Sequence, residues 1–174
     1  MVKYVLPIIA VILFLVEPEF AMFSPLNIGD QSFVLVPRFL ILYLIFLAIY
    51  YSRKKACIYG LVFGILYDVV YIDIIGLFTV LFPLLCFIAS WCVKYVHQHL
   101  FITTILSVLL VALMEFALYE FYVIIDITTM ELLPFLLYRL LPTIIANLLY
   151  LFMLGWIFKL LINARLLEEE RNMA

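Results

Sequence analysis

Six long apolar runs follow one another along the chain, and short breaks with charged or turn-forming residues separate them. The runs are roughly residues 4–23, 33–51, 56–75, 76–96, 101–125 and 132–162. About 20 predominantly apolar residues form a helix that can cross a bilayer, so each run predicts one transmembrane helix. The last run is too long for one straight crossing, and Pro134 and Pro142 predict a kink or an interfacial lead-in there. The pattern predicts an all-α bundle of six transmembrane helices in a single domain, residues 1–174.

Composition supports a membrane protein and excludes other classes. Hydrophobic residues make up 70% of the 174 residues and charged residues 13%, which is too apolar for a water-soluble domain. The net charge of -2 excludes the basic surface of a nucleic-acid-binding protein. Cys57, Cys86 and Cys92 lie inside apolar runs, where they predict packing rather than disulfides. No catalytic or metal-binding motif is present, and His97 and His99 are expected in a loop, so we predict neither an enzyme nor a cofactor.

The distribution of basic residues predicts that both termini are cytoplasmic. The first run has no small-residue cleavage site after it, which favours a retained span over a removed signal peptide. With this topology the inner side holds Lys3, Arg53, Lys54, Lys55, Lys94, Lys159, Arg165 and Arg171. Such an excess is what the positive-inside rule requires. The outer loops or their edges then hold Glu17, Glu19, Asp30, Asp73, Asp126 and Glu131.

A carboxylate stands in the third run, in the stretch GLVFGILYD. Gly60, Gly64 and Asp68 are four residues apart, so they share one face of a helix. Two glycines on one face let another helix backbone come close, which would exclude lipid from the aspartate. An aspartate near the middle of a span costs ~3 kcal/mol on insertion scales, so we expect Asp68 to face protein.

A second polar stripe lies in the last run, where Arg139, Thr143 and Asn147 share one face beside Pro142. Residues from other runs are expected at a similar depth, which defines an outer polar layer: Glu17, Arg38, Asp68, Glu115, Glu120, Arg139 and Asn147. Asp68–Arg139 and Glu115–Arg38 are two pairings that we consider, and the sequence assigns neither. The layer is interpreted either as an outward-facing pocket or partner-docking groove, or as buried pairs that fix the helix register.

Several short motifs, in this order, resemble the MreD family of bacterial rod-shape-determining proteins, most closely the version in Gram-positive rods. They are VPRFLILYLIF, YGLVFGILYD followed by IIGL, MEF, and RLLPTIIANLL. The family pattern G-x-x-x-G-x-x-x-D matches Gly60, Gly64 and Asp68. Its R-x-x-P-T-x-x-x-N matches Arg139, Pro142, Thr143 and Asn147, and its P-R matches Pro37 and Arg38.

The resemblance implies a non-enzymatic scaffold of the cell-wall elongation complex in the bacterial cell membrane. It implies association with an MreC-like protein, a RodA-type glycosyltransferase, a class B penicillin-binding transpeptidase and MreB. It also implies a fold similar to the six-helix substrate-binding subunits of energy-coupling-factor transporters. The alternative function is therefore a vitamin-binding subunit of such a transporter, although the first run lacks the alanine-x-x-x-alanine face of those subunits. An intramembrane enzyme is not supported, because the spans hold no nucleophile or metal set.

Overall fold

The computed structural model describes residues 4–28, 31–72, 74–94 and 99–173. The predictions for Lys3, Asp30, Asp73 and His97, and the predicted end of the fourth run at residues 95–96, lie outside these residues.

The described chain folds into six helical segments and one short β-hairpin. The segments are α1 (Val5–Ala21), α2 (Phe39–Tyr50), α3 (Arg53–Tyr67) with a π-helical turn (Asp68–Ile72), α4 (Leu77–Cys92), α5 (Leu100–Ile124), and α6 (Leu132–Phe135) joined by a π-helical turn (Leu136–Leu140) to α7 (Leu141–Met173). The hairpin pairs β1 (Leu26–Ile28) with β2 (Gln31–Phe33) in antiparallel fashion. The predicted class of six helices is confirmed, and the hairpin is an addition that the hydrophobic pattern did not indicate.

Three of the helical segments are long and apolar enough to cross a membrane by themselves. They are Arg53–Ile72, Leu100–Ile124 and Leu132–Glu169, whereas α2 and α4 are shorter apolar helices. The described chain is therefore built as a membrane protein. Six crossings with cytoplasmic termini remain a prediction, because helix length and composition alone do not orient the chain.

Helix α2 is the centre of the bundle. All 12 of its residues are buried, and it contacts α1, α3, α4, α5 and α7. A helix that is apolar on every side is stable only when other helices surround it or lipid covers it. Here the other helices surround it, so α2 is the core on which the rest of the fold packs.

The second run does not begin as a helix, which corrects the predicted span of residues 33–51. Residues 34–38 are non-helical, and α2 starts only at Phe39. Pro37 explains part of this difference, because a proline disfavours the helical conformation of the residue before it. The 12 residues of α2 rise only ~18 Å, but five non-helical residues can add up to ~17 Å, which together cover the ~30 Å of a hydrocarbon core. We call residues 34–38 the lead-in segment.

The end of the bundle that holds the α2–α3 corner carries a second polar cluster. The Tyr51 hydroxyl donates a hydrogen bond to Glu169 Oε1 at 2.6 Å, and Lys55 Nζ lies 3.1 Å from the same oxygen. Arg165 forms ion pairs with Glu168 and Glu169 within α7. These contacts hold the last turns of α7 against the corner between α2 and α3.

Candidate functional site

Asp68 caps the start of α4 rather than pairing with an arginine. Its carboxylate accepts hydrogen bonds from the backbone N–H groups of Gly76, Phe78 and Thr79 at 2.8–3.0 Å, and from the Thr79 hydroxyl at 2.7 Å. The first N–H groups of a helix have no partner within the helix and carry a partial positive charge. Gly76 sits before α4 with φ 111°, a conformation that side-chain-bearing residues rarely adopt. The considered Asp68–Arg139 pairing is therefore wrong.

The glycine face of α3 packs against α4 within the chain. A Cβ at Gly64 would lie 2.5 Å from the Phe78 carbonyl oxygen, and one at Gly60 would lie 3.0 Å from Pro83 N. Both neighbours are backbone atoms of α4, so only glycine allows the two helices to come this close. The glycine stripe and Asp68 thus act together, because the close packing brings the start of α4 within reach of the carboxylate.

Arg38 lies buried at the centre of the outer polar layer, where Glu115 holds it directly and Glu17 holds it through Tyr67. Its Nε donates a 2.6 Å hydrogen bond to Glu115 Oε1, which is one of the two considered pairings. Its Nη1 donates to the Tyr67 hydroxyl at 3.2 Å, and this hydroxyl donates in turn to Glu17 Oε1 at 2.8 Å. Glu17 Oε2 accepts the Leu40 N–H at 2.9 Å, so Glu17 also satisfies a free N–H at the start of α2.

The stripe in the last run holds the lead-in segment. Asn147 accepts the Arg38 N–H at 2.9 Å and donates to the Val36 carbonyl at 2.9 Å, and Thr143 Oγ1 accepts the Val36 N–H at 3.1 Å. Pro142 has no N–H for the carbonyl four residues before it, Tyr138, and that carbonyl accepts the Val34 N–H at 2.8 Å. Non-helical backbone at membrane depth is stable only where protein groups satisfy it, and this stripe does so.

Arg139 is the residue of the outer polar layer with the weakest contacts. Its Nη2 lies 3.6 Å from Glu115 Oε2, and its side chain is 33% exposed, whereas that of Glu115 is fully buried. Among the described residues, neither Glu115 Oε2 nor Arg139 Nε has a hydrogen-bond partner, although both atoms are buried. The pair therefore holds a donor and an acceptor that the described chain leaves unused.

The structure thus brings most of the predicted residues together but divides them into two groups. The first group lies around the lead-in segment and its last residue, Arg38: Glu17, Glu115, Arg139, Thr143 and Asn147. Gly60, Gly64 and Asp68 serve the contact between α3 and α4, and Pro142 acts through its missing N–H.

Glu120, which was placed in the layer, is exposed. Tyr67 and Thr79 were missed, because nothing in their local sequence distinguishes them from the other tyrosines and threonines of the spans.

An apolar cavity of about 420 Å³ lies beside the layer, between α1, the hairpin and α7. Its walls are mainly aromatic and aliphatic, and include Phe20, Phe23, Phe39, Tyr150 and Met153. Asn147 reaches its edge, but the polar atoms of that side chain are engaged by backbone. Among the described residues there is no cluster of three or more His, Cys, Asp or Glu that could hold a metal ion. The arrangement can hold backbone and helices in place, and it shows no set of groups for chemistry on a substrate.

Comparison with known proteins identifies relatives over most of the chain. The sequence model of the family "rod shape-determining protein MreD" matches residues 2–165. The chain is 36% identical over 149 residues to the rod shape-determining protein MreD of Bacillus subtilis (strain 168), which covers 84% of this chain and 86% of that relative. It is 29% identical over 125 residues to the cell shape-determining protein MreD of Streptococcus pneumoniae, covering 72% of this chain and 76% of the relative. No solved structure matches, so the expected likeness to transporter subunits has no structural support.

Proposed function

Because the chain belongs to the MreD family of rod shape-determining proteins, we propose that it is a membrane scaffold of the cell-wall elongation complex. Family membership makes it a shape-determining protein and not an enzyme. In the proposed role it binds an MreC-like protein and supports a RodA-type glycosyltransferase and a class B penicillin-binding transpeptidase, together with MreB. The match of the family model to nearly the whole chain carries this proposal.

The way in which the buried polar groups are used favours a scaffold over a vitamin carrier. A binding pocket for a small polar molecule needs a few convergent polar groups that are free to contact it. In this chain Asp68, Glu17, Thr143 and Asn147 are hydrogen-bonded to backbone, and the cavity beside them has apolar walls. Among the described residues the cavity wall offers one buried hydroxyl without a hydrogen bond, that of Tyr150, which is not the convergent polar set that a vitamin carrier needs.

Of the three long spans, the last helical segment leaves the largest share of its residues uncovered for a partner. In its most apolar stretch 22% of the residues are buried inside the chain, against 33% for the α3 segment and 39% for α5. Large side chains that point outward along α7 include Ile145, Leu149, Phe152 and Trp156. A membrane-spanning helix of the partner would cover part of this face by van der Waals packing. The glycine stripe of α3 does not serve this purpose, because α4 already covers it.

Recovery of the chain from its own bacterium tests the proposal. We expect a tagged copy, extracted in mild detergent, to bring down an MreC-like protein and the wall polymerases, identified by mass spectrometry. An unrelated six-span membrane protein with the same tag is the control. Recovery of ATPases and a coupling subunit in place of the elongation proteins would refute the scaffold and support the transporter alternative.

The proposed topology has six crossings with both termini cytoplasmic. The basic residues Arg53, Lys54 and Lys55 then lie at the inner surface, and Asp126 lies outside. Single cysteines at Lys54 and Asp126, in a chain without native cysteines, test this with a membrane-impermeant thiol reagent on intact protoplasts. We expect labelling only at position 126, and labelling at position 54 instead would reverse the orientation.

A further inference from the structure

The Glu115–Arg139 pair holds both a buried donor and a buried acceptor that stay unused, and the one other buried side-chain atom without a hydrogen bond among the described residues is the Tyr150 hydroxyl. Glu115 Oε1 is engaged by Arg38 at 2.6 Å, while Oε2 has only the loose 3.6 Å approach of Arg139. Arg139 Nε is buried and donates to no described residue. A buried polar atom without a hydrogen bond is costly, so this place favours a further group with complementary atoms.

The charges around the pair determine what that group is. With all four groups ionised, the two acids Glu17 and Glu115 balance the two arginines Arg38 and Arg139, so this part of the layer needs no further charge. A carboxylate or phosphate offers acceptors only, and it would stand next to the Glu115 carboxylate, which repels it. A neutral carboxamide fits both unused atoms, because its NH2 donates to Glu115 Oε2 while its oxygen accepts from the Arg139 guanidinium.

The depth of the pair in the membrane indicates whether a lipid headgroup or a protein side chain supplies that group. Arg139 follows the start of its helical segment, Leu132, by seven residues, which is about 10 Å along the axis at the rise of a helix. The polar headgroup region on one side of a bilayer is about 5–8 Å thick, so with Leu132 at the membrane surface Arg139 lies deeper than the lipid headgroups. A side chain on a membrane-spanning helix is delivered at whatever depth its sequence sets.

Access is through Arg139 itself. Its side chain is 33% exposed, and it stands on the π-helical turn Leu136–Leu140, a kind of local widening that often marks functional sites. The partly exposed Arg139 side chain thus lies between the outside of the bundle and the buried Oε2 of Glu115.

We propose that the Glu115–Arg139 pair is the binding site for one Asn or Gln side chain from the membrane-spanning helix of the partner. This inference rests on the proposed function, and it adds which residues of the chain recognise the partner and by which chemistry. Glu115 accepts from the carboxamide NH2, Arg139 donates to its oxygen, and no charge is added to the layer.

The test is a double-mutant cycle with the full-length MreC-like partner, co-purified with the full chain in detergent or nanodiscs. In the chain Arg139→Met removes the donor, and in the partner each Asn or Gln in the outer half of its spanning helix is replaced by Leu in turn. An interhelical hydrogen bond of this kind corresponds to about a 3- to 15-fold change in affinity. We expect each single change to weaken binding by that factor, and the matching double change to weaken it no further.

Control variants separate recognition from folding. Arg139→Lys keeps a positive charge beside Glu115 but lacks the buried Nε, so it also lowers affinity even if Arg139→Met fails to fold. Glu120→Gln, at an exposed acid five residues after Glu115 on α5, should leave affinity unchanged and add independently to the partner changes.

The outcomes distinguish this inference from the proposed function. If the wild-type chain does not bind the MreC-like protein, the proposed function is wrong. The carboxamide site is refuted, and the scaffold function is not, if the wild type binds and both Arg139→Lys and Arg139→Met bind the partner as tightly as the wild type does. The same holds if no Asn or Gln of the partner is coupled to position 139. Loss of thermal stability in the isolated Arg139 variants with unchanged affinity would refute it in the same way, because the pair would then be structural only.

Discussion

Removal of the Asp68 carboxylate should destabilise the chain itself and not merely its assembly with partners. We consider two variants, Asp68→Asn and Asp68→Ala. The amide keeps one accepting oxygen but presents an NH2 group to N–H donors, so at least one of the four hydrogen bonds to the start of α4 is lost. The alanine loses all four and the favourable interaction of a negative charge with the helix start.

The hydrogen bonds that each variant removes determine how far its free energy of unfolding falls. A hydrogen bond to a charged group contributes ~1.5–3 kcal/mol, so Asp68→Asn should cost about 2 kcal/mol. In Asp68→Ala the buried Phe78 N–H and the half-buried Gly76 and Thr79 N–H groups lose their acceptor, for a total of about 4 kcal/mol. For a chain of 150–250 residues each kcal/mol lowers Tm by about 2–4 °C, which gives about 4–8 °C for Asn and 8–16 °C for Ala.

The assay is thermal unfolding of the purified chain in one detergent, followed by size-exclusion chromatography of heated samples. The control is Glu120→Ala, an exposed acid whose loss should change Tm by less than about 2 °C. The order wild type, Asn, Ala must hold for the cap to be the role of Asp68. A wild-type Tm for Asp68→Ala, combined with loss of the partner in pull-downs, would refute the reasoning and make Asp68 an interface residue.

Three further predictions concern the glycine contact, the buried ion pair and the lead-in segment. Gly64→Ala forces α3 away from the α4 backbone and should cost ~1–3 kcal/mol in the same melts. Gly155→Ala is the control, because its Cβ would lie 3.4 Å from the nearest side-chain atom, an ordinary contact distance, so it should melt nearly as wild type. Equal losses would argue against the backbone contact. Glu115→Gln leaves Arg38 buried without its anionic partner and should cost ~3 kcal/mol, part of which returns when Arg38→Gln is added; simple addition of the two losses would contradict the pairing. Asn147→Leu leaves the Arg38 N–H and the Val36 C=O of the lead-in segment unsatisfied, which should loosen that segment. A single cysteine within residues 34–38 should then react faster with a thiol reagent than it does when Asn147 is present. An unchanged rate would show that the segment does not depend on this side chain.

The hydrophobic pattern was sufficient to predict the helix count, because each apolar run needs its own helix in lipid. It failed at the start of α2. Hydrophobicity cannot distinguish a non-helical apolar segment from a helical one, and only Pro37 marks residues 34–38 as different. The signal that explains the segment, the polar stripe Thr143–Asn147, is more than 100 residues away in sequence.

The periodicity also identified the right residues in α3 and only part of their contacts. A four-residue spacing shows that Gly60, Gly64 and Asp68 share a face, but it says nothing about which helix covers that face. Because the turn between α3 and α4 is short, α4 packs next to α3. The Asp68 carboxylate therefore lies within hydrogen-bond distance of the free N–H groups at the start of α4 and not beside an arginine. Tyr67, which links Glu17 to Arg38, had no signal of its own in the sequence.

A common rule underlies both groups of buried polar residues. In lipid no water can bond to an unsatisfied backbone group, so each helix start and each non-helical residue at membrane depth needs a protein group as its hydrogen-bond partner. Asp68 meets this need for α4, Glu17 meets it for α2, and Thr143 with Asn147 meet it for the lead-in segment. Arg38 pairs with Glu115 and is linked to Glu17 through the Tyr67 hydroxyl. Arg139 is the exception, because its side chain bonds to no backbone group among the described residues, is 33% exposed and has a buried Nε without a partner. Recognition of a partner is therefore expected there and not at the better-satisfied Asp68.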